Sequence, residues 1–166
     1  MLAVVGAALF AYGQEAAPPA LPKPAAPADK IVILKSQREL RLFAGDTLLK
    51  TYKVALGPVA VGAKQCQGDN KTPEGTYRIV GRNPKSAFHK ALRVSYPNQQ
   101  DRERAARLGC APGGDIMIHG LPNGYGWIGA GHRTRDWTAG CIAVTDAEIE
   151  EIWRAVKDGT VVEIQA

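Results

Sequence analysis

Apolar residues in this chain come in short runs, each closed by Gly, Pro or a polar turn, with no repeated strand–helix–strand rhythm. Eighteen Gly and eleven Pro among 166 residues punctuate the backbone too often for a bundle of long helices. Without βαβ alternation a doubly wound sheet is disfavoured. Ile31 to Leu34 is a β-branched run. Leu40 to Phe43 follows the Ser36-Gln37 turn, and Leu48 to Leu56 follows Ala44-Gly45-Asp46. These three read as an antiparallel meander. Thr76 to Val80, Leu92 to Tyr96, Asp115 to Ile118 and Thr160 to Ile164 are further strands. Asn98 to Leu108 is helix-compatible, with Gly109 as its stop. The best helix begins at a Thr145/Glu148 capping box, sets Ile149, Ile152, Trp153 and Val156 on one face, and has Gly159 as its C′ residue. The expected fold is mainly β: an antiparallel β-sandwich or open barrel with one or two edge helices.

The ends differ from this body. Residues 1–13 carry no charge, and an apolar run from Leu2 to Phe10 precedes Ala11-Tyr12-Gly13, a small-x-small pattern. This reads as a signal peptide, although it lacks a positive flank. Residues 14–29 hold Pro18, Pro19, Pro22, Pro24 and Pro27 among many Ala, the composition of a semi-extended linker. Residues 30–166 then form one catalytic-sized domain. The chain carries +5 in all, scattered rather than clustered, and shows no RRM or KH signature. That disfavours nucleic acid and fits an anionic cell wall. No apolar run is long enough for a stable membrane span.

The chemistry concentrates between Ile116 and Asp146. Cys141 ends the Gly-rich stretch Thr138-Ala139-Gly140. A thiol there, beside an imidazole and backbone N–H groups, is an arrangement for nucleophilic catalysis. His119, at a strand end before Gly120, is the expected general base. His132 is a rival in a loop expected to be exposed, and fits a substrate contact or plain surface. His89 is expected at the surface or in a substrate wall. No compact zinc spacing, G-x-S-x-G or P-loop is present, so neither metal nor cofactor is expected. Cys66 and Cys110 flank Gly-rich loops. They are either two free thiols or one bridge, and a bridge would leave Cys141 as the one free thiol.

Ile118-His119-Gly120 followed by Thr138-Ala139-Gly140-Cys141-Ile142 resembles the L,D-transpeptidase catalytic (YkuD-type) domain. Gly68-Asp69-Asn70-Lys71-Thr72-Pro73-Glu74-Gly75-Thr76-Tyr77 resembles that family's upstream segment. The likeness runs from about Lys30 to Ile164. Many members carry His or Lys where Ala139 stands here, and Arg or Asn where Ala143 stands. The 22-residue separation of His119 and Cys141 is also longer than in compact members. The resemblance implies an exported enzyme of periplasm or cell wall acting on peptidoglycan stem peptides. Cys141 would form a thioester after His119 takes its proton, and an amine would resolve it. Gly140, Thr138 and Gly120 would shape the oxyanion loop. Tyr125, His132, Arg135 and Trp137 would contact substrate, and Asp136 would orient the loop or join them. Carbapenem-type β-lactams would acylate Cys141. Transfer to water, as in a carboxypeptidase or amidase, is the alternative within the family, and a non-catalytic wall-binding module is the alternative outside it.

Overall fold

An eight-stranded sheet in the order β3-β2-β1-β8-β4-β5-β6-β7 organises the computed structural model, which describes residues 27–166. The strands are β1 (Lys30–Leu34), β2 (Glu39–Ala44), β3 (Thr47–Lys53), β4 (Gly75–Ser86), β5 (His89–Val94), β6 (Met117–His119), β7 (Ile142–Ala143) and β8 (Val161–Gln165). Two α-helices, α1 (Gln99–Arg107) and α2 (Asp146–Ala155), join them, with a kinked 3-10 segment at Gly126–Thr134. The expected leader and most of the expected linker lie outside the described residues. Ala28 and Asp29, assigned to that linker, belong to the folded body. Ala28 is buried and its N–H donates to the Ala155 carbonyl at 2.8 Å.

Alternation explains the core. Ile31 and Ile33 of β1, Leu40 and Leu42 of β2, Tyr77 and Ile79 of β4, and Val162 and Ile164 of β8 are all buried in one cluster. Ile149 and Ile152 of α2 pack into the same cluster. Each fully buried Ile or Leu contributes about 1.5–3 kcal/mol relative to exposure. Both helices start as their sequences dictate. Asn98 with Asp101, and Thr145 with Glu148, form reciprocal capping boxes. Gly159 is not the C′ residue of α2: that helix caps at Val156, and Gly159 (φ +88°) lies in the turn before β8.

The sheet is mixed rather than purely antiparallel. β1 pairs with β8, and β6 with β7, in parallel. A parallel pair needs a crossover of roughly a dozen residues or more. The long stretch between His119 and Cys141 is that crossover. The sheet then curls back on itself. Ala55, just after β3, bridges Ala143 of β7, with N–H···O distances of 3.0 and 2.9 Å in the two directions. The last strand in the order is thus tied to the chain leaving the first, which closes the sheet at this one point.

Candidate active site

Cys141 and His119 come to the same face because β6 and β7 are parallel neighbours. The register pairs Ile118 with Ile142 and His119 with Ala143. Side chains two residues apart share a face, so Cys141 falls on the His119 side. The His119 imidazole is only 2 % exposed. Its Nδ1 lies 2.7 Å from the Gly120 carbonyl. A carbonyl only accepts, so Nδ1 carries the proton and Nε2 is left as the basic nitrogen. Burial holds this imidazole below the usual histidine range, while the Gly120 carbonyl opposes the shift. Phe88 tilts against the ring at 4.5 Å and Trp137 meets it edge-on at 5.9 Å.

The Cys141 thiol is free and donates weakly to the Asp115 carbonyl at 3.4 Å. Burial pushes it up. The Met117 amide and Lys64 pull it down, and Asp115 adds to the rise. Thiol and imidazole therefore rest neutral.

The loop before Cys141 is shaped by sterics. Gly140 has φ +120°, and a Cβ there would stand 2.5 Å from the Lys71 backbone oxygen. A Cβ on Gly57 would stand 2.0 Å from the Asn70 oxygen. The Asn70-Lys71 backbone of the upstream motif thus packs against the loop that carries Cys141, which brings these two distant motifs together. The Thr138 hydroxyl donates to the Cys141 carbonyl at 2.7 Å and accepts from the Gly140 N–H at 3.2 Å. The Gly140 N–H is thus engaged by the Thr138 hydroxyl. Gly120 serves packing: its absent Cβ would meet Asp146 Oδ1 at 2.6 Å, and the same oxygen accepts the Leu121 amide at 2.8 Å.

Tyr125, His132, Arg135 and Trp137 line one cavity of about 510 Å³, with Leu121, Pro122 and Ile128. Arg135 is exposed there. His132 is not exposed as expected: it is 8 % exposed and accepts from Trp137 Nε1 at 3.4 Å. Burial and then Arg133 hold it down at about 4, and its Nε2 is buried without a partner. Asp136 is tied into the fold by an ion pair and a backbone amide. It takes Arg38 Nε at 3.0 Å and Nη2 at 2.8 Å, and the Leu56 amide at 2.9 Å. His89 sits half-buried against Glu150, with Nε2 at 2.9 Å.

A second cavity of about 370 Å³ lies against Asp115 and Ala139, lined also by Lys64, Gln67, Gly68, Asn70, Gly113 and Gly114. The sequence reading missed Lys64, Asp115 and Phe88 as neighbours of the site. Cys66 and Cys110 are bridged beside this cavity.

Comparison with known proteins agrees with the geometry. The family model described as the L,D-transpeptidase catalytic domain matches residues 28–164. YafK of Escherichia coli strain K12, whose name assigns it provisionally to the L,D-transpeptidases, is 34% identical over 133 residues, covering 76% of this chain and 46% of YafK. The match therefore spans less than half the length of that relative. The helical cell shape determining protein Pgp2 of Campylobacter jejuni superposes with a TM-score of 0.61 at 24% identity, over 86% of this chain and 51% of Pgp2. L,D-transpeptidase 3 of Mycobacterium tuberculosis, in complex with a faropenem-derived adduct, superposes with a TM-score of 0.55 at 14% identity, over 84% of this chain and 61% of that one.

Proposed function

The chain belongs to the L,D-transpeptidase catalytic domain family, and from that premise we propose that it is an exported acyltransferase of the periplasm or cell wall, with Cys141 as nucleophile and His119 as base. One observation carries the reading most: a free thiol ends the loop entering β7, in parallel register with the strand that presents a buried imidazole with Nδ1 already engaged. His119 Nε2 takes the thiol proton as sulfur attacks the carbonyl of an L-centre joined to a D-residue in a stem peptide. The oxyanion is held by the Cys141 amide rather than that of Gly140. His119 returns the proton to the leaving amine, and a thioester remains. An acceptor amine then resolves it and restores the thiol. Tyr125, Trp137, His132 and Arg135 line the cavity that takes donor substrate, Arg135 meeting a carboxylate. The likeness to a cell shape protein supports a role in wall architecture. No helix among the described residues is long and apolar enough to cross a membrane.

The test is incubation with purified muropeptides and mass spectrometry of the products. Cross-linked or exchanged stems, absent with Cys141→Ala, are expected; products from transfer to water alone would make the protein a hydrolase. A faropenem adduct on Cys141 is also expected, and an unmodified protein or an adduct elsewhere would overturn the nucleophile's assignment.

A further inference from the structure

His132 has a buried ring that neither the thiol nor the base accounts for. It lines the larger cavity, yet it is 8 % exposed and its Nε2 is buried without a partner, so a molecule in that cavity does not reach this nitrogen. The other nitrogen faces an aromatic neighbour: Nδ1 accepts from Trp137 Nε1 at 3.4 Å. We propose that His132 is a positioning residue, which fixes the Trp137 indole and through it the imidazole of His119. The proposal rests on the acyl-transfer reading above, in which His119 is the base, and names what holds that base in place.

Three observations support it. The first is the tautomer. An indole N–H only donates, so Nδ1 of His132 carries the lone pair and Nε2 the proton. The proton on Nε2 is then a buried donor with nothing to accept it, which destabilises the fold. What a histidine adds here over an apolar ring is the acceptor for the indole. Burial and then Arg133 keep the ring neutral near pH 7, so the lone pair stays available.

The second is the aromatic packing. Trp137 lies against Phe88 with ring centroids 6.2 Å apart and meets His119 edge-on at 5.9 Å, while Phe88 tilts against His119 at 4.5 Å. Phe88 comes from the turn between β4 and β5, and Trp137 from the loop leading to β7. The bond from Nδ1 to the Gly120 carbonyl sets one edge of the His119 ring, and these two aromatic walls set its tilt. The ring torsion of a histidine is broad by itself, and transfer steps are steeply sensitive to placement.

The third is that both partners of the indole–imidazole bond are themselves held. Arg133, the next residue, donates to Glu148 of the α2 capping box. The Trp137 amide donates to the Leu56 carbonyl at 2.9 Å. The bond therefore spans two fixed backbones and selects one orientation of the indole.

Faropenem acylation of Cys141, read by intact mass, and stem-tetrapeptide turnover report on two donors of unlike shape. His132→Phe keeps a ring and removes the acceptor. It should slow both donors by the same factor, about tenfold for one lost hydrogen bond, with kcat falling and KM nearly unchanged. His132→Ala should do likewise and serves if His132→Phe does not fold. His132→Asn, which can place an oxygen near the position of Nδ1, should recover most of the rate. Trp137→Phe removes the donor, and adding His132→Phe to it should cost little more, because the pair acts as a unit. Rates untouched by His132→Phe or His132→Ala, a raised KM at unchanged kcat, no recovery in His132→Asn, or losses that add in the double variant overturn the positioning role. Failure of the unaltered protein to be acylated at Cys141 by either donor overturns the acyl-transfer reading itself, so the two failures are distinguishable.

Discussion

Burial sets the ionisation of the two groups on which the reaction turns. It lowers the His119 imidazole from an ordinary 6.5 and raises the Cys141 thiol from an ordinary 9.0. On the proposed mechanism the thiolate is therefore made by proton transfer during attack, not stored as an ion pair. The acid limb of kcat/KM should lie below pH 6.5, measured on stem-peptide turnover. His119→Ala should lose roughly 10²–10⁴-fold in rate, and His132→Ala far less; the opposite ranking would exchange their roles. His132 has a different signature. Its folded form holds it at about 4 against 6.5 in an unfolded chain, so the folded state disfavours the proton. Its contribution is complete above pH 6.5 and is lost as pH falls toward 4, on the order of 3 kcal/mol at most. Thermal melts between pH 7 and 4 should fall less steeply in His132→Phe, and an unchanged slope would remove His132 as the source. Cys141 and His119 were singled out in the sequence because each stands in a short motif of its own. Lys64, Asp115 and Phe88 were not, because each reaches the site through strand pairing or a loop contact distant in sequence. The burial of His132 was hidden for another reason: its partner, the Trp137 indole, is only five residues on, but a short loop carries no periodicity that shows which side chains fold inward.

At the level of elements, β-branched runs and capping boxes announce themselves, and the β1, β2, β8, α1 and α2 segments follow them closely. β7 did not announce itself, since two residues carry no periodicity and exist as a strand only through β6 and Ala55. Parallel pairing was equally invisible, because it depends on where a crossover lands rather than on composition. The nucleophile loop shows how such an element is specified instead: by one residue without a side chain. In Gly140→Ala the new Cβ meets backbone at Lys71, which cannot swing aside, and the φ of +120° adds strain. The variant should be about 1–3 kcal/mol less stable and should lose faropenem acylation, read by denaturant melts and intact mass. Full acylation at unchanged stability would show that the two loops do not need their close contact.

Across the whole molecule, one bridge spans a sequence separation of 44 residues and ties α1's exit to the upstream motif. A loop of that size restricts the unfolded chain by about 4 kcal/mol in the entropy account. Thiol counting under denaturing, non-reducing conditions should find one reactive group, and reductant should lower the melting temperature. Three thiols, or an unmoved melt, would remove the bridge as a determinant. Closure of the sheet has a consequence of another kind. The amides of Ala55 and Ala143 hold each other across the seam between the first and last strands, two residues beyond the nucleophile. A sheet with a loose edge can fray there and exchange its amide hydrogens through small openings, whereas a seam joined to both sides releases them only when the larger unit opens. In deuterium exchange these two amides should be among the slowest in the protein. Enzyme activity on heating should then persist up to the cooperative transition and vanish with it.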